Sequence, residues 1–168
     1  MEKIISEGKK LIGKPYRYRV AKKLNLDCSG FISYIFSKFD IALPRSSSAQ
    51  HIHTHPIVDP RPGDLIFFKG RNARSSRVGH VGMVVDVKDD DITMLHSSCS
   101  KGIVIEKVKS HAYYNRRYVG VGRVPELAKM LRNEKKKQED LNRTHPVFYS
   151  PYIPGLLVPV PLPSPNTI

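Results

Sequence analysis

The sequence predicts an α+β fold in which N-terminal helices pack on an antiparallel sheet of about five strands. Before residue 40, apolar residues recur every three or four positions, the spacing of one buried helix face. From Asp59 onward they recur at every second position, in short segments separated by turn-forming residues, which is typical of strands. Helices that precede the strands, instead of alternating with them, indicate separate α and β layers.

Two amphipathic helices are predicted in the first part of the chain. The first ends at Gly13 and Pro15, which are helix-terminating residues. The second begins at Cys28, and Asp27 is suited to cap it because a carboxylate accepts hydrogen bonds from the free amides of a first turn. Its apolar face consists of Cys28, Phe31, Ile32, Ile35, Phe36 and Phe39.

Cys28 is the first candidate for a chemical role. The partial positive charge of a helix N-terminus favours the thiolate, and the free amides there can stabilise an oxyanion. A buried structural cysteine, which behaves as a small apolar side chain, fits the same position. The helix pattern alone does not choose between these two interpretations.

A short third helix is predicted after a loop, capped by Ser46 or Ser47. The following histidines, His51, His53 and His55, occupy alternate positions and would project to one side of an extended segment. That spacing is compatible with a metal site. We favour solvated loop histidines, since Pro56 follows directly, and we expect neither a metal nor another cofactor.

The second half of the chain predicts strands, a final helix and a tail. The helix begins at Pro125. We expect one domain over residues 1–143 and a proline-rich tail over residues 144–168. The predicted strands are Leu65 to Phe68, Gly79 to Val87, Ile92 to His96, Gly102 to Ile105 and Tyr118 to Val124.

Composition limits the classes of function. The 28 Lys and Arg residues outnumber the 15 Asp and Glu residues, so the chain carries a formal charge of +13 and has a pI of about 9.9. Such a protein is attracted to polyanions, and an anionic cell-wall polymer is a possible partner. Nucleic acid is not expected, because the sequence lacks an Arg-rich cluster with interleaved aromatic residues. No segment is apolar enough to span a membrane, the N-terminus lacks a signal peptide, and two cysteines do not form a disulfide framework.

His80 and His96 are the candidate partners of Cys28. A three-residue turn between their strands would pair Val87 with Asp91 and therefore Gly82 with His96. His96 would then lie diagonally from His80 on one face of the sheet, with Gly82 leaving space between them. A turn one residue longer would move His96 to the opposite face. Two unrelated strand histidines become the weaker interpretation once a helix-start cysteine accompanies them.

Six motifs occur in a consistent order and at compatible spacing over residues 4 to 124. They are GKPYRY at Gly13–Tyr18, LDCSGF at Leu26–Phe31, LPRS at Leu43–Ser46, PGDLIFF at Pro62–Phe68, GHVGM at Gly79–Met83 and LHSS at Leu95–Ser98. Together they resemble the NlpC family, papain-like cysteine endopeptidases that cut bacterial cell-wall peptides. The resemblance implies a papain-like fold, with Cys28 as nucleophile, His80 as base and His96 as the polar residue that orients it.

The same resemblance implies a substrate-binding surface and a reaction. Tyr16 matches a tyrosine beside the nucleophile, and we assign Asp27, Ser29 and Arg45 to substrate binding with it. The implied reaction is hydrolysis of an amide in peptidoglycan stem peptides, by analogy the bond between γ-D-glutamate and the diamino acid. Two alternatives stay open: acyl transfer or another amidase reaction at the same site, and a non-catalytic module that binds anionic polymer. Either the chain acts outside the cytoplasm, after loss of a leader or delivery by another system, or it is cytoplasmic.

Overall fold

A computed structural model describes residues 1–17 and 25–144. The helices are α1 (Glu2–Lys9), α2 (Cys28–Ser37), α3 (Ser47–His53), α4 (Ala112–Asn115) and α5 (Pro125–Thr144). The strands are β1 (His55–Ile57), β2 (Leu65–Lys69), β3 (Val78–Lys88), β4 (Asp91–Ser98), β5 (Gly102–Lys107) and β6 (Tyr118–Arg123). The chain divides into two compact units, Met1–Leu127 and Ala128–Ile168, of which the second is described only up to the end of α5.

The first unit contains one six-stranded sheet in the order β1-β6-β2-β3-β4-β5. Every neighbouring pair is antiparallel, so the predicted α+β class is confirmed. Strand β1, which the sequence analysis missed, pairs His55 with Arg123 and Pro56 with Gly122 at one edge of the sheet. A three-residue strand that contains proline has almost no pattern, and an edge is where proline is tolerated.

The main core lies where α1 and α2 pack on the sheet. The predicted apolar face of α2 is buried, and Phe31, Ile32, Ile35 and Phe36 have no solvent-exposed surface. Together with α1 residues they contact a fully buried set of strand side chains, Leu65, Phe67, Val81, Met83 and Leu95. Burial of this face therefore holds the beginning of α2, and Cys28 with it, against the sheet.

The β3–β4 turn differs from the prediction. Asp89 and Asp90 both have positive φ angles, 51° and 56°, which is the conformation of a two-residue type I′ turn. Lys88 therefore pairs with Asp91, and the predicted pairing of Val87 with Asp91 is wrong. The turn is therefore one residue shorter than predicted.

A β-bulge restores the register that the shorter turn would shift. The ladder slips by one residue between Val84 and Asp86, and beyond this point Gly82 pairs with His96, as predicted. Without the extra residue His96 would lie opposite Met83 and project from the other face. Glycine is favoured opposite His96, because a Cβ on Gly82 would lie only 3.1 Å from the Cβ of His96 and the neighbours would have to shift.

The histidines after the third helix do not form a loop, contrary to the prediction. His51 and His53 belong to α3, where the His51 ring packs 4.9 Å from that of Phe67 and His53 contacts Glu126 at 3.4 Å. His55 begins β1. Within residues 1–17 and 25–144, no three His, Cys, Asp or Glu side chains are grouped as metal ligands, and no helix is long and apolar enough to cross a membrane. The proline-rich tail lies outside the described residues, apart from Thr144.

Candidate active site

Cys28 is the first residue of α2, and its surroundings are built by the helix cap. The Oδ1 atom of Asp27 accepts hydrogen bonds from the Gly30 backbone N–H at 2.9 Å and from the Ser29 hydroxyl at 3.2 Å. Gly30 is required because a Cβ there would lie 2.7 Å from the Asn25 carbonyl oxygen. The chain therefore enters the helix along one fixed path that leaves the Cys28 thiol half-buried at the surface of the core.

Arg45 joins the following loop to the helix start. Its guanidinium forms an ion pair with Asp27 and donates to the Ser29 hydroxyl at 3.0 Å, while half of its side chain stays exposed. The side-chain amide of Gln50, in α3, donates to the Ser29 carbonyl at 3.1 Å and to the Pro44 carbonyl at 2.9 Å. Three predicted substrate-binding residues are thus brought together, and part of their bonding capacity maintains the loop.

A cavity of about 360 Å³, here called the thiol pocket, opens beside Cys28. Burial, together with nearby Cys28, Cys99 and Asp27, raises the pKa of Tyr16 well above its usual value, so its hydroxyl keeps its proton and can donate. The pocket is lined by Tyr16, Asn25, Asp27, Cys28, Ser29, Arg45, Ser46, Ser47 and Gly79. All four residues assigned to substrate binding therefore lie in one cavity with the proposed nucleophile.

The thiol itself is not poised as a thiolate. Burial, and after it the charge of Asp27, raises the pKa of Cys28 above its ordinary value. Hydrogen bonds from the backbone N–H groups of Ser29 and Val81 act in the opposite direction but offset only part of the rise. The expectation that the helix N-terminus favours thiolate is therefore wrong for the free protein, because the capping carboxylate and desolvation outweigh the amides. The hydrogen bond from the Val81 backbone N–H places the sulfur beside the peptide bond that joins His80 to Val81.

His80 begins a linear chain of hydrogen-bonded side chains on one face of the sheet. Its Nε2 lies 3.0 Å from Nδ1 of His96, and Nε2 of His96 lies 2.9 Å from Oε2 of Glu106. In the ladder His96 pairs with both Gly82 and Val104, so His80 and Glu106 are its diagonal neighbours. The predicted contact between the two histidines is present, and Glu106 is a member that the sequence analysis missed.

The carboxylate fixes the direction of every proton in this chain. An ionised Glu106 only accepts, so the Nε2 of His96 must carry the hydrogen. Neutral His96 then has a bare Nδ1, which accepts from Nε2–H of His80. Neutral His80 is left with a bare Nδ1, the atom that can take a proton from a thiol. One half-buried carboxylate thus sets the tautomers of two imidazoles.

Electrostatics keep both rings neutral. Burial, and next the adjoining His96, lowers the pKa of His80 to about 3. Burial also lowers the pKa of His96, although the hydrogen bond and charge of Glu106 raise it. Burial acts to raise the pKa of Glu106, but hydrogen bonds from Lys101 and His96 bring it below its usual value. Near neutral pH, two imidazoles and an ionised carboxylate are therefore present.

Tyr114 of the short helix α4 packs against both histidines. Its ring is stacked on His80 with centroids 5.9 Å apart, and it meets His96 edge-on at 5.2 Å. Phe68 contacts Tyr114 and His80 from β2, at 5.3 Å and 5.9 Å. This aromatic packing restricts the orientation of the two imidazole rings.

Two residues without a recognised motif complete the site. Glu106 carried a weak signal, since it occupies the same face of β5 as Val104, the partner of His96. Cys99 is exposed and hydrogen-bonds to the Tyr16 side chain, and it lines a second cavity together with His80.

The protonation state of Cys28 predicts its reactivity toward iodoacetamide. In a Cys99→Ser background, the alkylation rate should still rise with pH beyond about 8.5, where an unperturbed thiol is half-ionised. The sign follows from the raised pKa, because thiolate forms only as the pH approaches that higher value. The same protein unfolded in urea is the control and should follow the unperturbed titration. A rate that has already levelled off below pH 8 in the folded protein would contradict the neutral thiol.

The sequence is similar to those of known bacterial proteins. The "Gamma-DL-glutamyl hydrolase" of Bacillus subtilis is 37% identical over 127 residues, which are 73% of this chain and 30% of that protein. The "Probable endopeptidase NlpC" of Escherichia coli is 37% identical over 95 residues, 55% of this chain and 58% of that protein. This chain therefore spans less than two thirds of either relative.

The fold has solved counterparts. A crystal structure of a lipoprotein-like NLP/P60 family protein from Staphylococcus aureus superposes with a TM-score of 0.61 and 28% identity, over 73% of this chain and 40% of that one. Residues 13–123 match the sequence profile of the NlpC/P60 family, a range that includes Tyr16, Cys28, His80, His96 and Glu106. This match covers more than half of the sequence, and the chain belongs to the NlpC/P60 family.

Proposed function

We propose that this chain is a cysteine endopeptidase that hydrolyses peptidoglycan stem peptides at the amide between γ-D-glutamate and the diamino acid. The observation that carries the proposal is the His80–His96–Glu106 chain beside a helix-start cysteine, since it leaves a bare imidazole nitrogen for the thiol proton. The naming of relatives as endopeptidases and a γ-glutamyl hydrolase supports the bond type. Action on the cell wall places the enzyme outside the cytoplasm, and the +13 charge favours attraction to an anionic wall polymer.

The reaction starts from a neutral pair. As the sulfur of Cys28 attacks the amide carbonyl, its proton passes to Nδ1 of His80, and the charge that forms on the imidazole is stabilised through His96 by Glu106. The carbonyl oxygen becomes an oxyanion, and we assign its stabilisation to the Cys28 backbone N–H and the Tyr16 hydroxyl. His80 then gives the proton to the leaving nitrogen, and the C–N bond breaks to leave a thioester on Cys28. Water, deprotonated by His80, hydrolyses the thioester and restores the thiol.

The thiol pocket holds the acyl part of the substrate in this proposal. Arg45 is the basic residue of this pocket and half of its side chain is exposed, so its charge suits a carboxylate such as that of the γ-linked D-glutamyl residue. Tyr16 and Ser29 line the same pocket, and we assign them to contact with the stem peptide. Acyl transfer would use the same steps with an amine in place of water, and a binding module would need none of them.

Substitution of the three central residues tests the proposal. On a peptide in which γ-D-glutamate is linked to diaminopimelate, Cys28→Ala and His80→Ala should each lower turnover by several orders of magnitude, because nucleophile and base act as one unit. His96→Ala should leave a measurable remnant, since an orienting residue does not itself transfer the proton. Release of the new amine is followed in time, and circular dichroism confirms folding. If the wild-type protein leaves both this peptide and purified sacculi intact, hydrolysis is wrong; a reactive Cys28 would then favour acyl transfer, and an inert one the binding module.

Glu106 should act through the two histidines, as a positioning residue. Replacing it with Ala removes the acceptor that sets the tautomers, and we expect kcat to fall at least about tenfold, or about 1.4 kcal/mol in barrier height. Glu106→Gln should lose less, because its amide oxygen still accepts from His96. The exposed Glu2→Ala is the matched control and should leave kcat unchanged. If folded Glu106→Ala and folded wild-type protein have equal kcat, Glu106 is not a positioning residue.

A further inference from the structure

Two cavities meet at the centre of the site. The thiol pocket and a second cavity of about 390 Å³, here called the imidazole pocket, share Gly79 in their linings. Cys28 lines only the first, whereas His80 and Cys99 line only the second. Gly79, which is common to both linings, marks the divide between the pockets, and a Cβ there would lie 2.6 Å from the Cα of Gly70.

The proposed reaction assigns a direction across this divide. The acyl half of the substrate becomes attached to Cys28, so it occupies the thiol pocket. The leaving nitrogen must reach His80 to receive its proton, so the fragment that departs extends into the imidazole pocket. Recognition in that pocket therefore selects the residue on the leaving side of the broken bond.

Charge in the imidazole pocket is strongly one-sided. Three basic side chains line it, those of Lys69, Arg71 and Lys101, against the single carboxylate of Glu106. Glu106 is already occupied, since it accepts from Lys101 at 2.6 Å and from His96 at 2.9 Å. Lys69 and Arg71 form no ion pair within residues 1–17 and 25–144.

The segment that carries Lys69 and Arg71 is also held in place by the fold. The guanidinium of Arg117 donates to the Gly70 carbonyl at 3.3 Å and to the Arg71 carbonyl at 3.2 Å. The same guanidinium stacks 3.9 Å from the ring centre of Tyr113, another residue of the pocket. Arg117 thus restrains the backbone that carries Lys69 and Arg71, which lowers the entropy cost of binding an anion there.

We propose that the imidazole pocket binds a carboxylate of the leaving fragment, through Lys69 and Arg71. Because this inference rests on the proposed hydrolysis, it specifies the substrate further: the leaving residue carries a free acidic group, and amidation of that group weakens turnover. A planar guanidinium and a partly desolvated ammonium are the donors that bind a carboxylate strongly. The one-sided lining gives a positive pocket that a neutral leaving residue does not use.

Two peptides test the subsite. One is L-alanyl-γ-D-glutamyl-meso-diaminopimelate, and the other is the same peptide with both diaminopimelate carboxyls converted to amides. Wild-type protein should cleave the acid with kcat/KM at least about tenfold above that of the amide, which is the effect of about 1.4 kcal/mol. In Lys69→Gln/Arg71→Gln the ratio should fall to about one, mainly through loss of activity on the acid.

A control separates local binding from overall charge. Lys3→Gln/Lys88→Gln removes the same two charges from exposed positions outside the pocket lining and should keep the wild-type ratio. Equal cleavage of acid and amide by the wild type, or the same loss in both double variants, would overturn the subsite and leave the hydrolase intact. Cleavage of neither peptide by the wild type would overturn the proposed function and the subsite with it.

Discussion

The register between β3 and β4 is the constraint on which the site depends. Side chains alternate across a sheet, so a slip of one residue would carry His96 away from His80 and from Glu106 together. The two-residue turn at Asp89 and Asp90 alone would cause such a slip, and the bulge after Val84 corrects it. The chain of three side chains exists because one extra residue in β3 compensates for one fewer in the turn. The absence of a side chain at Gly82 then leaves room for His96 beside it.

A second consequence of this register is the direction of proton transfer. A histidine pair alone has several tautomers of similar energy, whereas a carboxylate at its far end permits one. The ordinary view of a cysteine nucleophile has a thiolate beside an imidazolium. Here burial disfavours both charges, since it raises the pKa of Cys28 and lowers that of His80. The proton therefore moves during attack in our proposal, and Glu106, kept ionised by Lys101, compensates the charge that appears on His80.

Much of this arrangement could be predicted from the sequence, and the exceptions have physical causes. The amphipathic pattern placed α2 and its cap, because an apolar face and a capping carboxylate are local properties. The pairing of Gly82 with His96 was predicted correctly through an incorrect turn, since turn length and bulge are not separable in a sequence. Strand β1 was missed because three residues around Pro56 lack any alternation.

The residues that were missed or misjudged depend on features that the sequence does not display. Glu106 has no motif, and its role arises from pairing of β4 with β5 across the sheet, which depends on distant parts of the chain. The ionisation of Cys28 was misjudged because the helix N-terminus is visible in the sequence whereas burial is not. His51 and His53 were assigned to a loop, but both belong to α3, which ends at His53. Strand β1, which contains Pro56, begins two residues later.

The central claim is that Cys28 carries the acyl half of the substrate between two proton transfers at His80. The most direct measurement is rapid acid quenching of the protein during turnover of the γ-D-glutamyl peptide, followed by intact-mass and peptide mass spectrometry. The account predicts an adduct with the mass of the L-alanyl-D-glutamyl group, bound to the peptide that contains Cys28 and absent after Cys28→Ala. The account would be contradicted if the Cys28→Ala protein still turned over the peptide without forming an adduct. It would also be contradicted if the acyl group were found on Cys99 instead.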